Sequence, residues 1–131
     1  MVTQASILGH SRLVAFAATR DPAKARAFYE GILGLKLVED QQPFALVFDA
    51  NGTMLRVTVV SEFNPAPFTV LGWGVTSIDE TVERLTAKGV EFQRYPGMND
   101  SDPNGIWTAP SGARIAWFKD PDGNVLSVTQ F

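Results

Sequence analysis

One pattern of short apolar runs, helix caps and turns occurs twice along the chain, and this repetition constrains the fold more than any other feature. Its first copy opens with Leu13 to Thr19, a mostly apolar stretch between Arg12 and Arg20 that reads as a buried strand. Asp21-Pro22 then starts a helix, because Asp21 can accept from free backbone N–H groups and Pro22 suits the first helical position. Ala25, Phe28, Tyr29 and Ile32 recur at helical spacing on one face, and Gly34 can close the helix in a left-handed conformation. Leu35 to Val38 reads as a second strand. Phe44 to Phe48 and Met54 to Val60 flank the turn Asp49-Ala50-Asn51-Gly52 and read as a hairpin.

The order strand, helix, strand, strand, strand returns after Ser61 to Phe68, whose Asn64, Pro65 and Pro67 mark a linker. Val70 to Val75 is a strand. Ser77 caps a helix with Ile78, Val82 and Leu85 on one face and Gly89 at its end. Val90 to Phe92 reads as a short strand, and Ile115 to Lys119 pairs with Val125 to Gln130 across Asp120-Pro121-Asp122-Gly123-Asn124. Asp21 and Ser77 lie 56 positions apart, whereas Gly52 and Gly123 lie 71 apart, so the second copy holds a net 15 extra residues. They belong in Tyr95 to Ala113, where Gly105 to Thr108 reads as an added strand or a lid. The expected organisation is one domain over 1–131, with unit one at about 12–60, a linker at 61–69 and unit two at about 70–131.

A chain of 131 residues with 45% hydrophobic and 19% charged side chains can bury a core without staples. It has no cysteine, so disulfides, thiolate metal sites and cysteine nucleophiles are excluded together. The net charge of −3 is spread over mixed signs with no basic stripe, which argues against nucleic-acid and anionic-membrane partners. No apolar run is long enough to span a bilayer, and Met1 to His10 carry no basic n-region. The expected location is cytoplasmic.

Phe28-Tyr29 followed by Leu33-Gly34-Leu35, and later Ala116-Trp117-Phe118-Lys119 running into Asp120-Pro121-Asp122-Gly123-Asn124, resemble the glyoxalase/bleomycin-resistance/dioxygenase (vicinal oxygen chelate) superfamily. The resemblance covers Arg12 to Phe131. It implies an α+β fold in which two tandem βαβββ units form a curled, eight-stranded, cleft-like sheet with helices on its outer face. Ligands would occupy the concave side, in a homodimer.

The resemblance also implies four metal-ligand positions, two on first strands and two on last strands. Here they are Val14, Val70, Arg56 and Ser127. Two valines offer no donor, arginine puts positive charge where a cation would sit, and serine is a weak neutral ligand. The single histidine, His10, precedes the first strand and reads as a solvated residue without clustered partners. Neither a metal nor another cofactor is expected.

Residues two apart on a strand share a face. If Val14 and Val70 face the cleft, so do Phe16, Gly72 and Gly74; the last strands add Met54, Arg56 and Thr58 with Val125, Ser127 and Thr129. Trp117 opposite Ser127 brings Phe44, Leu46 and Phe48 inward by repeat equivalence, an assignment that a one-residue slip would reverse. The candidate ligand-binding residues are therefore Phe16, Phe48, Arg56, Gly72, Trp107, Trp117 and Ser127. Each has a plainer reading: Trp117 as packing, Arg56 as half of a surface ion pair, Gly72 and Gly74 as a bulge. No nucleophile–base pair emerges, Asn99, Asp100 and Asp102 read as a solvated loop, and the Asp120–Asn124 turn lacks the further acids of a calcium loop.

These features suit a metal-independent protein that binds an aromatic or amphipathic small molecule, similar to bleomycin-resistance proteins. A glyoxalase- or dioxygenase-type lyase or isomerase with an atypical or absent metal site is the alternative. An interaction module without a small ligand ranks third.

Overall fold

The computed structural model describes residues 6–131, and the expectation for Met1 to His10 falls partly outside them. Helix α1 (Pro22–Arg26) begins where Asp21 Oδ1 accepts the Lys24 N–H at 3.2 Å, with Pro22 at its first position. It continues as a wider π-helical turn through Ala27–Ile32, closed by Leu33 N–H donating to Phe28 C=O at 2.9 Å. The wider turn lets two consecutive side chains, Phe28 and Tyr29, both point into the core. Helix α2 (Ile78–Ala87) starts at Ser77, whose hydroxyl accepts from Glu80 N–H, and Gln130 Oε1 takes the otherwise free N–H of Ile78 at 2.9 Å.

Eight strands divide equally between two sheets. The first contains β1 (Val14–Thr19), β2 (Lys36–Gln41), β3 (Ala45–Ala50) and β4 (Thr53–Val59) in the order β1-β4-β3-β2. The second contains β5 (Thr69–Gly74), β6 (Trp107–Thr108), β7 (Arg114–Lys119) and β8 (Val125–Gln130) in the matching order β5-β8-β7-β6. In each unit the first and last strands run parallel, and the last three strands are antiparallel. This is the α+β arrangement of two βαβββ units expected from the sequence.

The strand expected at Val90 to Phe92 is reduced to one antiparallel bridge, Phe92 with Phe118. Strand pairing explains why. Equivalent positions Leu37 and Phe92 lie 55 apart, Gln41 and Trp107 lie 66 apart, and Ala45 and Ile115 lie 70 apart. Eleven extra residues thus interrupt the second strand of unit two between Phe92 and Trp107, and four more lengthen its turn into β7. Strand β6 resumes what Phe92 starts. Between the equivalent pairs Asp49–Met54 and Lys119–Val125 the β7–β8 turn also holds one residue more than its counterpart, in which Asn51-Gly52, with φ of 50° and 93°, turns β3 into β4.

One face of both sheets, with the two helices, closes a common core. It includes Leu46, Phe48, Leu55 and Val57 from unit one with Ala116, Phe118, Leu126 and Val128 from unit two. Burying each such large apolar side chain contributes about 1.5–3 kcal/mol. Phe28 and Tyr29 reach both sheets: their rings lie 6.3 Å from Phe118 and 5.8 Å from Phe48, respectively.

Polar groups at the edge of this core tie the units together. Tyr29 Oη donates to Asp120 Oδ2 at 2.7 Å, and the same carboxylate accepts from Asn124 Nδ2 and from the backbone N–H groups of Asp122 and Asn124. Asp122 accepts the Thr19 hydroxyl at 2.5 Å and Arg20 N–H at 2.8 Å, while Asn124 Nδ2 also donates to Ala18 C=O. Thr19, Asp120, Asp122 and Asn124 are all buried, so these bonds offset desolvation that would otherwise be unfavourable. No helix among the described residues is long and apolar enough to cross a membrane.

Burial, and next the Asp120 carboxylate, push the Tyr29 hydroxyl far above its ordinary titration range. A raised native pKa stabilises the fold fully below the unfolded value of about 10; above it the unfolded tyrosine releases a proton that the native one keeps, so stability falls as pH rises. Tyr29→Phe is expected to cost about 1.5–3 kcal/mol in urea unfolding at pH 7. The loss of stability between pH 10 and 11 should then be shallower in the variant than in the parent; equal slopes would show that Tyr29 ionises freely in the native state.

Candidate functional site

The faces turned away from the core carry the candidate residues. Directly paired positions share a face, so the row Glu39–Val47–Arg56–Phe16 crosses the open face of the first sheet. Phe16 is 60% exposed there, and Val14 and Met54 are exposed beside it. Arg56 is half-buried; its Nη2 donates to Gln41 Oε1 at 2.8 Å, and it makes no ion pair among the described residues. An arginine satisfied by one neutral amide keeps most of its five donors and its full charge for an incoming anion.

Phe48 does not belong to this face. The partner of Arg56 is Val47, and Phe48 pairs with Leu55 on the core side, where it is fully buried against Tyr29. The expectation placed it one residue out because the hairpin glycines align at a spacing of 71 whereas β3 and β7 align at 70. The longer β7–β8 turn accounts for the difference, and with it Phe44 and Leu46 also leave the face assigned to them.

On the second sheet, Gly72, Ser127 and Trp117 form one row, in the pairing expected for Trp117 and Ser127. A Cβ on Gly72 would come within 2.8 Å of Ser127 Oγ, so the missing side chain provides the space in which the Ser127 hydroxyl sits. Trp117 Nε1 donates to Thr69 Oγ1 at 3.1 Å, which fixes the indole across the sheet. Trp107, on edge strand β6, lies 6.0 Å from Trp117 between ring centroids at 35°, and Tyr95 meets Trp117 edge-on at 5.5 Å and 83°. These three half-buried rings form one surface.

The structure therefore groups Phe16 with Arg56 on one sheet, and Gly72, Ser127, Trp117 and Trp107 on the other. Gln41, Thr69 and Tyr95 were not among the expected site residues. Tyr95 carried the one available signal, being the only aromatic residue besides Trp107 in the insertion. Gln41 and Thr69 depend on strand register, which sequence does not supply. Between the units a hollow of about 350 Å³ is lined by apolar side chains including Ala15, Leu55, Leu71 and Trp73; of the candidate residues it touches Gly72 alone.

Metal chemistry does not fit these faces. Val14, Val70, Arg56 and Ser127 supply one neutral hydroxyl and one cation, and no group of three His, Asp or Glu side chains gathers anywhere among the described residues. The buried carboxylate of Asp120 accepts four hydrogen bonds and that of Asp122 two, all from the protein's own groups, so both are engaged in holding the turn and joining the units.

Residues 9–128 match the model of the Glyoxalase/Bleomycin resistance protein/Dioxygenase superfamily. A member of that superfamily from Sphaerobacter thermophilus has a similar structure, with 27% identity and a TM-score of 0.67 over 91% of this chain and 97% of that one. Lactoylglutathione lyase from Agrobacterium tumefaciens shares the fold at 19% identity and a TM-score of 0.72, over 93% and 95% of the two chains. TioX from Micromonospora sp. ML1 shares it at 21% identity and 0.69, over 92% and 98%. No curated protein matches the chain.

The Gly72–Ser127 contact can be measured directly. Gly72→Ala is expected to destabilise by about 1–3 kcal/mol through overpacking, and Ser127→Ala in the same chain to recover at least about 0.5 kcal/mol of that in a double-mutant cycle. Additive effects in denaturant titrations would mean that the two positions do not touch.

Proposed function

The chain belongs to the glyoxalase/bleomycin resistance protein/dioxygenase superfamily, and from that premise we propose that it is a metal-independent binding protein for small aromatic or amphipathic anions. The observation that carries this reading is Arg56, a half-buried cation with no carboxylate partner among the described residues, next to the exposed ring of Phe16. The four positions at which metal-dependent relatives hold their ion offer no working donor set here, which supports binding without a metal. In this reading Arg56 takes the carboxylate or phosphate of the ligand, Phe16 packs on its apolar part, and Trp107, Trp117, Gly72 and Ser127 form the wall against which a ring rests.

The reading includes a homodimer in the cytoplasm. Val14, Phe16, Met54 and Val70 leave large apolar surface uncovered on the open faces, and a second copy would cover it while bringing an Arg56 face against a tryptophan face. A lyase or isomerase remains the second reading, favoured by the shared fold with lactoylglutathione lyase; at 19% identity that likeness concerns fold alone.

Three measurements test the proposal together. Metal content of the purified protein should be near zero, with ligand binding indifferent to chelator; one metal per protomer and loss of binding on chelation would move the protein to the enzymes. A thermal-shift screen of aromatic carboxylates and phosphates should give hits worth about 2.7 kcal/mol at a hundredfold excess over Kd, and Arg56→Gln should weaken them about tenfold. A screen without hits would sink the binding reading. Light scattering should give a dimer mass at micromolar concentration, and a monomer mass would remove the paired-face arrangement.

A further inference from the structure

The segment from Gln93 to Ile106 that interrupts the second strand of unit two folds around a polar centre of its own. Asn99 is 1% exposed; its Oδ1 accepts Tyr95 N–H at 2.7 Å, and its Nδ2 donates to Gln93 C=O at 2.9 Å and Gly105 C=O at 2.7 Å. One side chain thus joins the start, the middle and the end of the insertion. The Arg94 guanidinium donates to the carbonyls of Asn99, Asp102 and Pro103, and Asp102 Oδ2 accepts the N–H groups of Asn104 and Ile106, each at 2.9 Å. Both ends are anchored outside the loop: Gln93 N–H donates to Trp117 C=O at 2.7 Å, and Ile106 is buried in the common core.

The internal bonds make the segment rigid, and a lid motion would have to break the Gln93–Trp117 bond and pull Ile106 from the core on every opening. Tyr95 within it and Trp107 directly after it are the aromatic side chains that flank Trp117. A ligand ring sandwiched between two of these rings would need about 7 Å, two van der Waals spacings of about 3.5 Å. The observed separations of 5.5 and 6.0 Å leave no such gap on either side of Trp117. Trp107 and Trp117, tilted by 35°, present faces on which a flat π-system can stack from the open side, with Tyr95 standing nearly perpendicular to Trp117 as a border.

We propose that this insertion is a preformed selectivity wall that favours planar aromatic ligands over saturated rings of the same size and charge, and that Asn99 is its positioning residue. The inference deepens the binding reading above and rests on it. Because the wall is built before the ligand arrives, stacking costs little ordering entropy, and loss of Asn99 acts by loosening Tyr95 and Trp107 while the charge contact at Arg56 is untouched.

The test uses the full chain and two probes, naphthoate and its fully saturated counterpart, decalin carboxylate, with Kd measured by calorimetry. The parent protein should bind naphthoate about tenfold more tightly than decalin carboxylate. Trp107→Leu and Asn99→Ala should each bring that ratio to about threefold or less with decalin affinity unchanged, and Asn99→Ala should also flatten the near-ultraviolet dichroism of the paired indoles. Tyr95→Leu serves as the third variant if Asn99→Ala fails to fold. Arg56→Gln should weaken both probes equally. A ratio preserved in Trp107→Leu and in the Asn99 or Tyr95 variant, with Arg56→Gln still weakening both probes, would overturn the wall and leave the binding reading standing. Failure of the parent to bind either acid would overturn both.

Discussion

The Tyr29 hydroxyl and the Asp120 carboxylate meet across 91 positions of chain, and the relation between the two units depends on that contact. It forms only because several local conditions hold at once. The π-helical turn must bring Tyr29 inward next to Phe28, and the Asp120–Asn124 turn must hold its carboxylate in place with its own N–H groups. Thr19 and Ala18 then reach the same turn from the end of β1. Buried on the apolar side of both sheets, this network lets one core serve two units. The opposite faces are left uncovered, and the candidate binding residues sit there.

The two open faces have diverged in chemistry more than in backbone. Both carry the same strand order, yet one presents aliphatic groups, Phe16 and a guanidinium held by a neutral amide, and the other presents indoles, a phenol and hydroxyls. A duplicated scaffold with unlike faces suits a ligand that is itself two-sided, charged at one end and flat at the other. Symmetric faces would suit a central ion, and the side chains at the four equivalent positions are poor donors for one.

Much of this organisation could be read from the sequence where a single residue type forces a local geometry. Asp21-Pro22 and Ser77 mark helix starts, and Asn51-Gly52 marks a hairpin, because few other residues cap or turn a chain in those ways. Phe28-Tyr29 and Asp120–Asn124 could be picked out as family features, though their direct contact could not. Alternation along β1, β4, β5 and β8 put Phe16 in one row with Arg56 and Gly72 in one row with Ser127, as their strand pairing does. Register was the limit. Phe48 and Val47 are both apolar and adjacent, and one extra residue in the β7–β8 turn shifts the repeat alignment by which the sequence would tell them apart. The insertion was legible as an excess of residues but not as a wall, since Asn99 and Asp102 look like loop solubility until their partners are known.

The Thr19 hydroxyl and the Asp122 carboxylate are 103 positions apart, and this has a consequence for how the protein is made. Repeat proteins whose units contact only their neighbours can fold piece by piece. Here the first unit emerges from the ribosome with Thr19 and Tyr29 still waiting for acceptors that arrive with the β7–β8 hairpin. High contact order of this kind makes maturation a late, all-or-none event. A nascent first unit therefore leaves the apolar face of its sheet uncovered until the second unit closes over it.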